Sequence, residues 1–424
     1  MKKYKTYSIL CVLFVLFLLL GNIGLSAEPI TLRISWWGSQ TRHDRTLKVL
    51  ELYNKLNPNV KFETEFGAFS GYWDKLAVQA AAKNLPDIIQ IGYGYLEEYA
   101  GRGLLAEITP FVDKGIISFK DASPAIKEAG MVEGKLYAVC LGMNAWAIAY
   151  DPLAAEKAGI SISKTGLWTW NDYRRFAKKI YEATGLKAEL PFMDEPTNIL
   201  AYYLQQNGLN LYNSTGTGLG FSDPKYMQEI LEIFLDLVKS GAAPHPSEYA
   251  VTRSLEDSLL VKGKAWLYWL WSNQFVALAQ AAKRPLSLTL PPRGKNPGLF
   301  LNPSQFFVIS ANSKYKEEAA KFINFFVNNI DANKILLAER GVPTSSKVRK
   351  ALKDIVDPIV KQTFDYMDLA ARNSIPTVPR QPAKASEIKK LGQEIFQKVL
   401  YGEISPADGA KEFMKRGNEI LQGK

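Results

Sequence analysis

From Leu32 to Pro58 the apolar positions change period once. Leu32 to Trp36 reads as a buried strand, and Trp37, Gly38 and Ser39 form a loop. An amphipathic helix follows, with Leu47, Leu50, Tyr53 and Leu56 spaced by three and Val49 and Leu52 widening the face. Thr41 followed by Asp44 predicts a capping box at its start, and Pro58 stops it. Val60, Phe62, Thr64 and Phe66 alternate as a second strand, a helix is expected from about Tyr72 to Lys83, and Pro86 to Ile91 gives a third strand. This β-α-β-α-β order predicts a parallel sheet with right-handed crossovers. Its loops gather Trp36, Trp37, Phe69, Tyr72, Trp73, Tyr93 and Tyr95 at one sheet edge, where open α/β sheets bind ligands. Tyr93 and Tyr95 are expected to alternate onto one face just past the strand.

Further along, Gly134 to Cys140 predicts a turn and a buried strand, interrupted at Gly142 and resumed from Asn144 to Tyr150. A broken and resumed strand predicts a passage from one domain to another. Helices are expected from Thr169 to about Ala183, from Asp223 to about Ser240 and from Lys314 to Asn328. Gly263 to Asn273 holds Trp266, Trp269 and Trp271, the last two on one face of a strand. Gln305 to Ser310 is another strand, Gly341 to Thr344 breaks the helices near it, and the Pro-rich stretch Pro376 to Pro382 interrupts the helical C-terminal part.

Composition narrows the function. The chain has 424 residues, enough for two domains with their own cores. Met1 to Ala27 reads as an export signal: Lys2, Lys3 and Lys5 precede an apolar run from Ile9 to Leu20, and Ser26-Ala27 offers a cleavage point. Cys11 stands at the start of that run, so no lipobox is formed, and Cys140 is the one cysteine beyond it. An exported chain without disulfides is expected in a periplasm. Removing three lysines from a net charge of +10 leaves +7, spread without a basic run, so nucleic acid is not an expected partner.

Catalytic patterns are scarce. His43 and His245 are the two histidines, and the HExxH, CxxC, GxSxG and P-loop patterns are absent. No metal or cofactor is expected. Aromatic residues dominate the candidates, with Trp36 divided between core and cleft. Trp73, Tyr93 and Tyr95 are divided in the same way, Trp37, Trp269 and Trp271 are expected as stacking surfaces for a sugar ring, and Arg42 and His43 stand at a helix N-terminus where basic groups oppose the macrodipole. Asn144 lies in the apolar run at the expected domain passage, just before Trp146.

The WWG turn at Trp36 to Gly38, Leu85 to Ile89, Tyr99-Ala100 with Gly103 to Ile108, Tyr150 to Pro152, Trp168 to Tyr173, Gly263 to Ala265, Trp269 to Asn273 and Gly341 to Thr344 occur in an order that resembles one family. It is the extracellular solute-binding proteins of ABC importers, in the oligosaccharide-binding group that includes maltose-binding protein. The resemblance implies a two-lobed type II periplasmic-binding-protein fold, α/β, each lobe a mainly parallel sheet flanked by helices. It implies a hinge crossed three times, around Leu141 to Ala145, Leu301 to Ser304 and Thr344 to Lys347. The N-terminal lobe is then 28–142 plus 304–345, and the C-terminal lobe 146–301 plus 346–424. Sugar binds between the lobes, with Trp269 as the family's cleft tryptophan and Trp146, Trp271 and Asn144 near it, and the closed protein docks on a membrane permease. A monomer without catalysis is expected. The WWG turn with Arg42-His43 and Thr46-Leu47 resembles members that bind plant cell-wall oligosaccharides, including pectic oligogalacturonides; with Arg42, His43 and the positive net charge a uronate ligand is expected, and neutral xylo-, manno- or gluco-oligosaccharides stay open. The alternative is a secreted polysaccharide-degrading glycoside hydrolase or lyase, since carboxylates abound.

Overall fold

The computed structural model describes residues 29–423 except 39, 68–70, 164–166, 192–195, 250–254, 376–381 and 383. The expected signal, Phe69 and most of the Pro-rich stretch lie outside the described residues. Along the chain run strands β1 (Ile30–Trp37), β2 (Val60–Gly67), β3 (Ile88–Ile91), β4 (Ala138–Asn144), β5 (Trp146–Tyr150), β6 (Lys187–Ala188), β7 (Ala265–Trp271), β8 (Ser287–Thr289) and β9 (Asn302–Ile309). The main helices are α1 (Gln40–Leu56), α2 (Tyr72–Ala81), α3 (Tyr93–Gly101), α4 (Trp170–Thr184), α5 (Pro196–Gln206), α6 (Lys225–Lys239), α7 (Lys316–Asn328), α8 (Ile330–Leu336), α9 (Pro358–Arg372), α10 (Ala385–Tyr401) and α11 (Pro406–Gln422).

Two sheets organise these elements. The first has the order β2-β1-β3-β9-β4 and the second β8-β5-β7-β6. In the first, β1 pairs parallel with β2 and β3, while β9 runs antiparallel between β3 and β4. In the second, β6 and β7 are parallel and β5 is antiparallel to both β7 and β8. Each sheet is thus parallel in direction but for one reversed strand. Those reversed strands, β9 and β5, are also where the chain passes between the sheets. The switch falls at Ala145, between β4 and β5, rather than at Gly142, through which β4 continues. Gly142 is needed there for another reason: a Cβ would stand 2.4 Å from the carbonyl oxygen of Arg340. Next to it, Met143 bridges Val342, so the third passage lies beside the first two.

Period-2 burial on β1 places Leu32, Ile34 and Trp36 against Val49, Leu50 and Tyr53 of α1 and Phe322 and Phe326 of α7. The opposite face of that sheet buries Ile89 and Ile91 with Tyr72, Leu76 and Leu96 of α2 and α3. In the second sheet, Trp266 and Leu267 are fully buried, and Met227, Ile230 and Phe234 of α6 lie in the same core as Ile395 and Phe396 of α10. The capping box expected at Thr41 does not form, because α1 has begun by Gln40 and Thr41 is already inside it. A capping box is present at α4 instead, where the Thr169 and Asp172 side chains each accept the other's backbone N–H.

Candidate ligand-binding site

The strand-to-helix turns of the first sheet bring three candidates into one stack. Trp73, in the first turn of α2, lies face to face with Tyr95 at 3.5 Å between centroids and 12° between planes. Trp37, the last residue of β1, is tilted against Tyr72 at 5.0 Å and Trp73 at 5.4 Å. Tyr72 anchors the group: it is buried, and its hydroxyl donates to the Gln90 carbonyl at 2.8 Å. Tyr93 and Tyr95 do not alternate as strand residues, because α3 starts at Tyr93 and puts both in its first turn. Tyr93 instead leans toward Phe306 at 6.1 Å. Trp37, Trp73, Tyr93 and Tyr95 all keep part of their surface exposed.

The basic pair and the first tryptophan behave differently. Trp36 is fully buried, and its Nε1 donates to His43 Nδ1 at 3.1 Å. Phe66 stacks on Trp36 at 4.8 Å and lies 4.6 Å from His43, so the three rings join α1 to the sheet. Trp36 and His43 therefore both lie in the core of this sheet, Trp36 on the core side of the two readings open to it. An imidazole serving as acceptor must be neutral, and His43 is held below its ordinary pKa by burial and then by Arg340 and Arg42. Arg42 forms an ion pair with Glu339 at 2.8 Å and donates to the Trp37 carbonyl at 3.1 Å. The guanidinium sits where the helix dipole is unfavourable because a carboxylate from the segment after α8 compensates it.

The second sheet supplies a cavity of about 410 Å3, lined by Trp146, Trp269 and Trp271. The register explains the grouping: Trp146 pairs with Trp271, and Ile148 with Trp269, on adjacent strands. Trp269 is 6% exposed and belongs as much to the core, 5.0 Å from Trp146, 5.9 Å from Tyr173 and 6.3 Å from Trp170. Trp271 is half-buried, with its ring 6.1 Å from Phe300. Trp146 is held by its backbone, whose carbonyl accepts from the Tyr366 hydroxyl of α9.

Several lining residues carried no sequence signal. Glu189, Glu248 and Asp257 face the same cavity from three separate segments. Glu189 accepts from the Leu260 N–H at 2.9 Å, Glu248 pairs with Lys187 at 2.7 Å, and Asp257 pairs with Lys262 at 3.3 Å. Burial pushes the Glu248 carboxyl up, but Lys187 and the His245 N–H outweigh it and hold the group below its ordinary value. Carboxylates beside indole rings form an acceptor-rich, aromatic-walled hollow. Such a wall binds hydroxyl donors and covers flat apolar faces. Among the described residues, no group of three or more His, Cys, Asp or Glu is placed to hold a metal ion. Asn144 belongs to neither aromatic group; it stands at the passage between the sheets, opposite Asn302.

A family model described as bacterial extracellular solute-binding protein matches residues 48–362. The chain belongs to that family. The bacterial extracellular solute-binding protein of family 1 from Alicyclobacillus acidocaldarius has 32% identity to it and a TM-score of 0.85, over 94% of this chain and 100% of the other. The diacetylchitobiose binding protein DasA of Streptomyces coelicolor is 24% identical over 391 residues, 85% of this chain and 84% of its own. A periplasmic oligogalacturonide binding protein of Yersinia enterocolitica shares the fold, at 22% identity and a TM-score of 0.77, over 93% of this chain and 99% of that one. The expected α/β binding-protein fold thus holds, and these similar proteins are binding proteins.

Proposed function

We propose that this solute-binding protein is an exported, monomeric carbohydrate receptor that captures an oligosaccharide between two lobes and delivers it to the membrane subunits of an ABC transporter. The observation that carries the reading is the pair of aromatic stations. Trp37, Trp73 and Tyr95 stand at the strand ends of the first sheet, and Trp146, Trp269 and Trp271 wall a cavity with three carboxylates in the second. The lobes are 28–142 plus 304–345 and 146–301 plus 346–424, a division supported by the change of sheet between Asn144 and Trp146. Closure is a population shift driven by contacts made when both lobes touch the sugar. The relatives that bind diacetylchitobiose and oligogalacturonide support an oligosaccharide ligand.

Neutral sugar is favoured over uronate. The residues that suggested an acidic ligand were Arg42 and His43, and these are engaged by Glu339 and Trp36. Calorimetry with neutral gluco-, xylo- and manno-oligosaccharides beside oligogalacturonides tests this: binding of a neutral oligomer is expected, and binding confined to the galacturonides would reverse the assignment. Incubating the bound sugar with the protein separates receptor from hydrolase or lyase. Intact sugar is expected back, and new reducing or unsaturated ends would establish catalysis.

A further inference from the structure

A second cavity, of about 570 Å3, lies beside the passages between the sheets. Asn144 and Asn302 to Gln305 line it at the first two passages, and Leu337 to Val342 line it from the segment that leads into the third. Arg42 and Arg45 close it from α1, and Asn273, Val276 and the start of α9 close it from the other side. None of Trp37, Trp73, Tyr95, Trp146, Trp269 or Trp271 is among its walls.

Its chemistry is unlike that of the aromatic stations. Four carboxamides, Asn144, Asn273, Asn302 and Gln305, reach this one cavity, and no hydrogen bond to any of their side chains is formed among the described residues. Asn144 is 7% exposed, and its Oδ1 and the Gln305 Oε1 are buried without a partner. Buried amides without partners are uncommon and need a reason. Most charged groups of the same wall are engaged inside the protein: Arg42 by Glu339, Arg45 by the Leu336 carbonyl, and Arg340 by Gln90 and Thr46, with the remaining Arg340 Nη1 buried without a hydrogen bond, 3.6 Å from the Glu339 carboxylate. A carboxamide presents a donor and an acceptor together, which is the complement of a hydroxyl group. Several of them around one hollow suit adjacent hydroxyls, whereas an anion would also meet the Glu339 and Asp357 carboxylates of the same wall.

The walls also come from both sheets, so rotation about the passages must change the cavity's shape. At its rim Leu337 and Ala338 hold φ of 46° and 57°, two adjacent non-glycine residues in the left-handed region. Such backbone persists where its surroundings fix it, and it concentrates at switches and clamps.

We infer that this hinge cavity is a second ligand site, for a neutral polyhydroxylated molecule of monosaccharide size, and that its occupancy biases lobe closure on the oligosaccharide. The site stands on the geometry of the passages; the coupling rests on the oligosaccharide reading above. Reciprocity follows: whatever factor the small ligand applies to oligosaccharide affinity, the oligosaccharide applies in return.

The test titrates the full chain with D-glucose, D-galactose and D-xylose, and with D-galacturonate as the charged control, by calorimetry without oligosaccharide. Binding of at least one neutral sugar and none of galacturonate is expected. Asn273→Leu combined with Asn302→Leu should weaken that binding by about tenfold or more. Val360→Phe, which fills the hollow and leaves the amides alone, should do the same. A saturating neutral sugar should change oligosaccharide Kd by about fivefold or more without displacing it. The site is overturned if no neutral sugar binds, if both variants bind it like the wild type, or if it competes directly with the oligosaccharide. Because the first titration contains no oligosaccharide, its failure is separate from any failure of the transport reading.

Discussion

Trp269 and Trp271 sit two residues apart on one strand face, line one cavity, and should nonetheless fail in different ways when truncated. Trp269 is 6% exposed and packed among Trp146, Trp170 and Tyr173. Trp269→Ala leaves a hole in a tightly filled aromatic core, and loss of a buried Trp or Phe costs about 3–5 kcal/mol. For a cooperative unit of about 150–250 residues each kcal/mol moves Tm by about 2–4 °C, so a fall of roughly 10 °C is expected. Trp271 is half-buried beside Phe300, so Trp271→Ala should cost about 1 kcal/mol of stability or less. Its ring face is the one a sugar covers in the proposed site. Burial of about 60 Å2 at ~25 cal/mol/Å2 gives about 1.5 kcal/mol, or roughly tenfold in Kd. Thermal melts by circular dichroism without ligand measure the first effect, and calorimetry with the cognate oligosaccharide measures the second. The reasoning fails if Trp269→Ala melts with the wild type, or if Trp271→Ala keeps full affinity.

Three other outcomes follow from the first sheet and the passages. Arg42→Met and Glu339→Met should each lower stability by roughly 3 kcal/mol, since each strands a mostly buried charge, while the double variant recovers only part of the loss because Arg340 also loses Glu339, 3.6 Å away; urea midpoints showing simple additivity would contradict this. His43 is neutral in the fold with a lowered pKa, and the unfolded chain takes up a proton near 6.5, so the unfolded state binds more protons below that pH. Stability should therefore fall as pH drops through that value and level off beneath the folded one. His43→Gln should flatten this slope, and an unchanged slope would place the titration elsewhere. Gly142→Ala puts a methyl against the Arg340 carbonyl and should cost about 1–3 kcal/mol; a wild-type Tm would show that the passages yield easily.

How much of this was legible in sequence depended on how local the cause was. Strand β1, helix α1 and the β-α-β-α-β order followed from period alone, because one buried face fixes both the element and its direction. The passage at Asn144 was visible as a polar residue in an apolar run, though Gly142 does not break the strand: its lack of a side chain makes room for the Arg340 carbonyl, which lies far off in sequence. Trp36 and His43 looked like ligand contacts because only the three-dimensional pairing of their ring nitrogens shows them satisfied by each other. Arg42 misled in the same way, since Glu339 is 297 residues away. Glu189, Glu248 and Asp257 were invisible for a like reason: three ordinary acids become a group only when β6 and β7 pair and the loops beside them close on one hollow. Tyr93 and Tyr95 show the remaining failure, as two residues cannot distinguish period 2 from the first turn of a helix.

The central claim is capture of an oligosaccharide, without chemistry, by two aromatic stations that close together. Tryptophan fluorescence recorded during titration with a neutral oligosaccharide, followed by recovery and sizing of the sugar, addresses it in one sample. The account predicts a saturable change that is lost in a Trp37→Ala/Trp271→Ala double variant, with the sugar returned intact. Shortened sugar, or a saturable change undiminished in that double variant, would contradict it.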